Sequence, residues 1–288
     1  LIGDAAHVFP PFGAQGIANG IRDAFALSWR LNLLLGSEKS SKPFANRDSL
    51  LHVWSQERIR GVDQASEATM RNGDLMRNKS WMVATMLRFS RTFFSYFPLV
   101  ETTVLRWILS DAEGFTRAKQ GFFLPEFQGG GKMAQIWVQD EKGTFSLSDK
   151  LFYRHDSVIT LLVVGQLPAL TECHNLTEML ESTSAARIIS QDIIAITTND
   201  ASSLSTDPAP PENVHQYFTC TLSRINAAAV DVPPGYEPSA LQARLKAGTR
   251  YVLVRSDFII YSQASTLKQL ATQLECAGRL IGNLSIGS

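Results

Sequence analysis

Cysteine is scarce: Cys173, Cys220 and Cys276 are the only three in 288 residues, and none stands at CxxC spacing from another. That excludes a thioredoxin-type redox pair, and an odd, widely spaced set predicts a reducing, cytoplasmic compartment rather than a disulfide scaffold. Net charge is absent too. Lys+Arg 27 and Asp+Glu 27 balance to +0, whereas a nucleic-acid binder carries a basic excess. The most apolar run, Ser157–Gly165, is far shorter than the ~20 residues that a membrane-spanning helix needs. There is no P-loop, no Ser/His/Asp set, no His, Cys or acidic cluster at metal-ligand spacing and no internal repeat. No support follows for a hydrolase, an NTPase, a metal site or a nucleic-acid partner. A GxGxxG turn between strand and helix is missing as well; Gly129–Gly131 has neither flank.

What is present is enough apolar residue, 44%, for a real core. The length predicts about two domains. An apolar stripe at helical spacing predicts a helix over Ile17–Leu35, with Gly36 as a stop; further helical segments are expected over Ser49–Met76, Trp81–Phe94 and Val100–Ser110. Pro125 and Gly129–Gly131 mark Gly121–Lys132 as a boundary. The second half reads as strand Ser157–Val164, helix Asn175–Ile189, strand Asp192–Thr198 and short helix Ser239–Ala247. A hairpin of Tyr251–Val254 with Phe258–Tyr261 and a final helix from Leu267 to Ile281 follow. Strand–helix–strand, then hairpin and helix, is an α/β unit with helices packed on a sheet.

The chemistry concentrates in the first thirty residues. A strand ends in Gly3-Asp4, where a ligand can approach the backbone closely and a carboxylate can accept hydrogen bonds from ligand hydroxyls. A loop with Pro10, Pro11, Gly13 and Gly16 then delivers the chain to a helix start. Its free N–H groups and partial positive charge suit an electron-rich ring. The chain begins at Leu1 rather than Met and runs straight into this motif, which predicts a piece of a longer protein.

Leu1–Arg30 strongly resembles the second flavin-binding motif of the class A FAD-dependent aromatic hydroxylases. The matching parts are Gly3–His7 (GDAAH), Pro10/Pro11, Gln15-Gly16 and Asp23–Arg30 (D-A-x-x-L-x-W-R). The Pro-Pro-Phe and Gly-Ile-Arg-Asp-Ala versions are most similar to the phenol and hydroxyphenylpropionate hydroxylase branch. Arg58, in Trp54–Arg58, matches a Tyr-x-x-Glu-Arg signature. The second half resembles the thioredoxin-like C-terminal domain of that branch at Gly131–Gln135, Ser148-Asp149 and Leu253–Asp257. Departures are Ala14 for the first turn glycine, Ala18 for an asparagine, Ala134 for a proline, and Ser256 and Phe258 for the Pro and Gly of "LVRPDG".

The resemblance implies the C-terminal part of an FAD-binding monooxygenase domain, mostly helical, over residues 1–122, and a thioredoxin-like α/β domain over 123–288. It implies FAD as cofactor, NAD(P)H as co-substrate, a small aromatic, phenolic substrate and a second domain able to support a homodimer. Cofactor contacts fall on Gly3, Asp4, Pro11, Gln15, Gly16, Ile17 and Ala18, with Asp4 at the ribityl chain and the Gly16–Ala18 amides at the flavin pyrimidine edge. No catalytic residue is assigned. His7 reads as structural, Asp23 as a buried polar contact, and Glu57 and Arg58 as salt bridges between helices. Trp81, Met82, Met86 and Phe89 read as helix core or the wall of an aromatic pocket. The alternative is a non-catalytic thioredoxin-like interaction or oligomerisation module.

Overall fold

The computed structural model describes residues 1–9, 15–38, 47–77, 80–96, 114–115, 118–152, 157–197, 210–228, 232 and 236–283. A 3-10 turn at Gly3–Ala5 leads into three helices, α1 (Gln15–Glu38), α2 (Arg47–Arg77) and α3 (Trp81–Tyr96). These match the expected helices, except that α1 continues through Gly36. The expected helix Val100–Ser110 lies outside the described residues.

The second half is a seven-stranded mixed sheet with helices on both faces. Its elements are β1 (Trp137–Asp140), β2 (Phe145–Leu147), α4 (Asp149–Phe152), β3 (Ile159–Gly165), α5 (Leu170–Ser182), β4 (Ile189–Thr197) and β5 (Val214–Thr219). After them come α6 (Leu222–Ala227), α7 (Ala240–Arg244), β6 (Tyr251–Arg255), β7 (Ile260–Ala264) and α8 (Leu267–Asn283). The strand order is β2-β1-β5-β4-β3-β6-β7. The three central strands β5, β4 and β3 run parallel, and antiparallel pairs flank them on both sides. β3 reads Ile-Thr-Leu-Leu-Val-Val-Gly and is buried along nearly its whole length, as a strand covered on both faces must be.

Alternation along the strands sends side chains to two cores. Leu161, Val163, Ile193, Ala195 and Leu253 face Cys173, Leu176 and Leu180 of α5 and Leu270 and Leu274 of α8. Leu162, Val164, Ile194, Ile196, Val252 and Val254 face Ile136, Phe152 and Leu241. Trp29 and Leu34 of α1 and Leu50 of α2 join the first of these cores, so the helical half docks on the face that α5 and α8 cover.

Several elements differ from expectation. The helix expected over Asn175–Ile189 runs Leu170–Ser182 instead. Its buried stripe is Cys173–Leu176–Leu180, and the β-branched Ile189 starts β4. The hairpin's second strand starts at Ile260, because residues 256–259 form the turn and Phe258 sits at φ 65. That left-handed position is where the resembling motif has glycine. Strands β1, β2 and β5 were not expected. Trp81, Met82 and Phe89 are exposed, Phe89 at 72%, so they are not helix core; the side chain of Met86 lies outside the described set.

The Gly121–Lys132 stretch is packed, not loose. Phe122, Phe123 and Leu124 are buried, Leu124 N donates to Tyr261 O at 2.8 Å, and Gly130 N donates to Ile260 O at 2.8 Å. A Cβ on Gly129 would lie 2.2 Å from Tyr261 O, so only glycine permits this approach. The segment thereby pairs with the outer edge of β7, a strand edge that would otherwise be open.

Candidate functional site

Two polar clusters hold the site, one on each side of a pair of adjacent residues in α2. Asn19, Asp23, Ala26 and Arg30 are buried on α1 at spacings of four, three and four, one stripe of a helix. In α2, Glu57 and Arg58 are consecutive and so point about 100° apart. Each meets a different part of that stripe.

The first cluster centres on Asp23. Its Oδ2 accepts hydrogen bonds from Gly3 N at 2.9 Å and His7 Nε2 at 2.8 Å, and its Oδ1 accepts one from Arg58 Nε at 2.5 Å. Arg58 Nη2 also donates to Asn19 Oδ1 at 3.0 Å. Burial pushes the Asp23 carboxyl up, but the Gly3 amide, Arg58 and His7 outweigh it and hold the pKa below the usual value. Gly3 adopts φ 57, and its Cα lies close to Gly20 of α1: a Cβ on Gly20 would approach it to 3.6 Å. The Gly3–Ala5 turn is thus clamped to the first half of α1 by a carboxylate and a glycine–glycine contact. His7 is a member of this clamp, in keeping with its structural reading.

The second cluster centres on Glu57, which is 1% exposed. Oε1 accepts from Phe122 N at 2.7 Å and Arg255 Nη1 at 2.9 Å; Oε2 accepts from Arg30 Nη2 at 2.7 Å and Arg255 Nη2 at 3.0 Å. Arg255 also donates from Nε and Nη2 to Asp257, at 2.9 and 2.6 Å, and from Nη1 to Phe122 O at 3.0 Å. All five guanidinium N–H donors are thereby used. Trp29 Nε1 donates to Asp257 Oδ2 at 3.1 Å, and the Trp29 ring lies 4.1 Å from the Arg30 guanidinium and 5.3 Å from that of Arg255. Two cations balance two anions.

Burial would raise the Glu57 carboxyl, but Arg255 and Arg30 overcome it and bring the pKa to about 2. Burial lowers Arg30 to about 10 despite Glu57, so it remains a cation at neutral pH. Burial also works against the Arg255 cation, yet Asp257 and Glu57 more than offset it and raise its pKa.

The expected ligand-facing residues lie beside the first cluster. Asp4 is exposed in the clamped turn. Gln15, Gly16, Ile17 and Ala18 form the first turn of α1, whose N–H groups have no partner within the helix. Ile17 is 82% exposed, and among the described residues a Cβ on Gly16 would meet nothing within 4 Å. Pro11 lies outside the described residues. An exposed carboxylate and a row of amides without intrahelical partners are the donor and acceptor set that a polyol-bearing, electron-rich ring requires. Sequence reasoning missed Gly20, Trp29 and the long-range partners Arg255 and Asp257. The signals for the last two were a charged pair inside the largely apolar stretch Tyr251–Tyr261 and the resemblance of Leu253–Asp257 to the "LVRPDG" segment, neither of which names a partner. Among the described residues no group of three His, Cys, Asp or Glu could hold a metal ion, and no helix is long and apolar enough to cross a membrane.

Residues 1–68 match the FAD binding domain family. A probable NADH-specific resorcinol 4-hydroxylase of Rhodococcus jostii is 41% identical over 73 residues, 25% of this chain and 12% of the relative. A 3-(3-hydroxy-phenyl)propionate/3-hydroxycinnamic acid hydroxylase of Escherichia coli O139:H28 is 43% identical over 58 residues, 20% of this chain and 9% of the relative. Among solved structures, the flavin-dependent monooxygenase PieE in complex with FAD and substrate covers 99% of this chain. The match has a TM-score of 0.52 and 14% identity and spans 47% of PieE. The OxyS anhydrotetracycline hydroxylase of Streptomyces rimosus covers 95%, with a TM-score of 0.50 and 17% identity, over 43% of its own chain. These two share the fold. The family match over residues 1–68 and the names of these relatives support a class A FAD-dependent flavoprotein monooxygenase, in line with the sequence resemblance. The matched segments span about a tenth of the curated relatives' length.

Proposed function

We propose that this chain supplies part of the flavin site of an NAD(P)H-dependent hydroxylase acting on a small phenolic molecule. One observation carries the reading: exposed Asp4 sits on a turn that Asp23 clamps to α1, and no described residue lies within 4 Å of a Cβ built on Gly16 in the first turn of that helix. In this reading Asp4 accepts hydrogen bonds from the ribityl hydroxyls of FAD. The amides of Gln15–Ala18 face the pyrimidine edge of the ring and stabilise negative charge there, and Gly3 and Pro11 shape the loop. Bound FAD would supply the electron transfer from NAD(P)H to oxygen that ends in ring hydroxylation. The names of the Rhodococcus and Escherichia relatives support NADH and a phenolic substrate.

Residues 1–122 then form the flavin and substrate part, and 123–288 a thioredoxin-like domain. The parallel unit β3–α5–β4 followed by the antiparallel β6–β7 hairpin and α8 supports that second assignment. Self-association into a homodimer falls to this domain, and three free thiols suit a cytoplasmic setting. The test is a titration of the chain with FAD, followed by flavin fluorescence and by amide exchange of residues 15–18. Binding is expected to be weak, because no Gly-rich turn for the adenosine diphosphate half lies in these residues, and to slow exchange at Gly16–Ala18. Asp4→Ala should weaken it at least tenfold, since a charge-assisted hydrogen bond contributes about 1.5–3 kcal/mol. No protection at millimolar FAD, or an affinity that Asp4→Ala leaves unchanged, would sink the reading.

A further inference from the structure

We propose that Arg255 and Asp257, in the hairpin of the C-terminal sheet, are positioning residues for the Gly3–His7 turn that carries Asp4. The inference rests on the flavin reading above only for what the turn is for.

The connection is contiguous. Arg255 forms a two-point ion pair with Glu57, at 2.9 and 3.0 Å, and Asp257 fixes Trp29 through its indole N–H. These contacts set the rotation of α2 at Glu57 and of α1 at Trp29-Arg30. Arg58 follows Glu57 directly, so its direction is set by the same turn of helix. It reaches Asp23, which in turn receives the Gly3 amide and the His7 ring. Apart from the step along the α2 backbone from Glu57 to Arg58, the links are charged or charge-assisted hydrogen bonds, the strongest and most directional kind available to side chains. The cluster is buried and fully charge-balanced, so it has one good geometry and tolerates sliding poorly. Spatial continuity alone does not establish coupling, so the test must read the far end.

That test is hydrogen–deuterium exchange on the 288-residue chain without flavin, comparing Asp257→Asn and the milder Trp29→Phe with the parent sequence. Trp29→Phe keeps an aromatic ring under the Arg30 and Arg255 guanidinium groups, though a smaller one, and removes the hydrogen bond to Asp257. The amides of Leu162 and Ile194 in the central sheet report global stability. The amides of Gly3, Ala6 and His7, which are bonded to Asp23 and to Gly3 O, report the turn. Coupling predicts that both variants accelerate exchange at Gly3, Ala6 and His7 by at least tenfold, and shift the His7 ring nitrogen resonance, while Leu162 and Ile194 stay protected. Exchange unchanged at residues 3–7, with acceleration confined to residues 122–124 and 255–258, would overturn it. If Asp257→Asn unfolds the whole chain, Trp29→Phe alone decides. Adding FAD to the parent chain separates the two ideas: absence of protection at Gly16–Ala18 would refute the flavin reading and leave the coupling result standing.

Discussion

The two halves of the chain treat their apolar side chains in opposite ways. Among the described residues, every exposed large hydrophobic except Leu222 lies within residues 1–96, including Ile17, Ile21, Leu35, Trp81, Phe89 and Tyr96. The sheet half instead buries Leu161, Leu162, Ile193, Ile194 and Leu253 completely, at 0% exposure. A surface rich in large apolar groups is one that other molecules cover, whereas the sheet has its own two-sided core. The helical half adds few side chains to that core, Trp29, Leu34 and Leu50 among them, and is also tied to the sheet by the paired carboxylates and guanidinium groups of α1, α2 and the distant hairpin.

If that contrast is right, the largest single effect should come from charge, not from a methyl group. Glu57→Gln leaves Arg30 and Arg255 buried with too little negative charge and should cost about 3–5 kcal/mol, measured by urea unfolding at pH 7. The same residue sets an acid limit. Its folded pKa of about 2 lies below the ordinary 4.5. Its stabilisation is therefore complete above pH 4.5 and disappears as pH falls toward 2, a loss of about 3 kcal/mol. In Glu57→Gln this part of the acid slope should vanish; an unchanged slope would place the acid sensitivity elsewhere.

In the sheet, Leu162→Ala should cost about 2–5 kcal/mol by opening a cavity in a closed core. Phe89→Ala, on the exposed face of α3, should change stability by less than about 0.5 kcal/mol. Similar losses at the two positions would erase the comparison.

The smallest effect is chemical. Cys173 and Cys220 are buried and Cys276 is partly exposed. Burial pushes the Cys220 thiol up to about 11 and raises Cys173 as well. A disulfide exchange reagent at pH 8 should modify Cys276 first, and reach the other two only after unfolding.

Much of this was legible in the sequence, for identifiable reasons. The N-terminal helices were read from helical patterning, and β3 and β6 are apolar except for Thr160 and the terminal Arg255. The strand β5 was not found because its buried positions, Val214, Gln216 and Phe218, include a glutamine that breaks the pattern of a core strand. At the site, Gly3-Asp4 and the start of α1 stood out because they are local. Glu57 and Arg58 were read as salt bridges, but their partners could not be named. Arg255 is 198 residues from Glu57, and Asp257 is 228 from Trp29. No local period reports a contact of that range. Phe258 shows the reverse: the sequence departs from glycine there, and the backbone keeps the left-handed φ 65, with the ring stacked on Phe25 at 5.9 Å.

The 198-residue separation between Glu57 and Arg255 also imposes an order on the birth of the molecule. At about 5–20 residues per second on the ribosome, Glu57 is made roughly 10–40 s before the guanidinium that neutralises it. During that interval α1 and α2 carry Arg30 and Glu57 with half of their cluster missing, and water must serve as the partner. The helical half can close only when β6 has emerged, so Arg30 and Glu57 wait for Arg255.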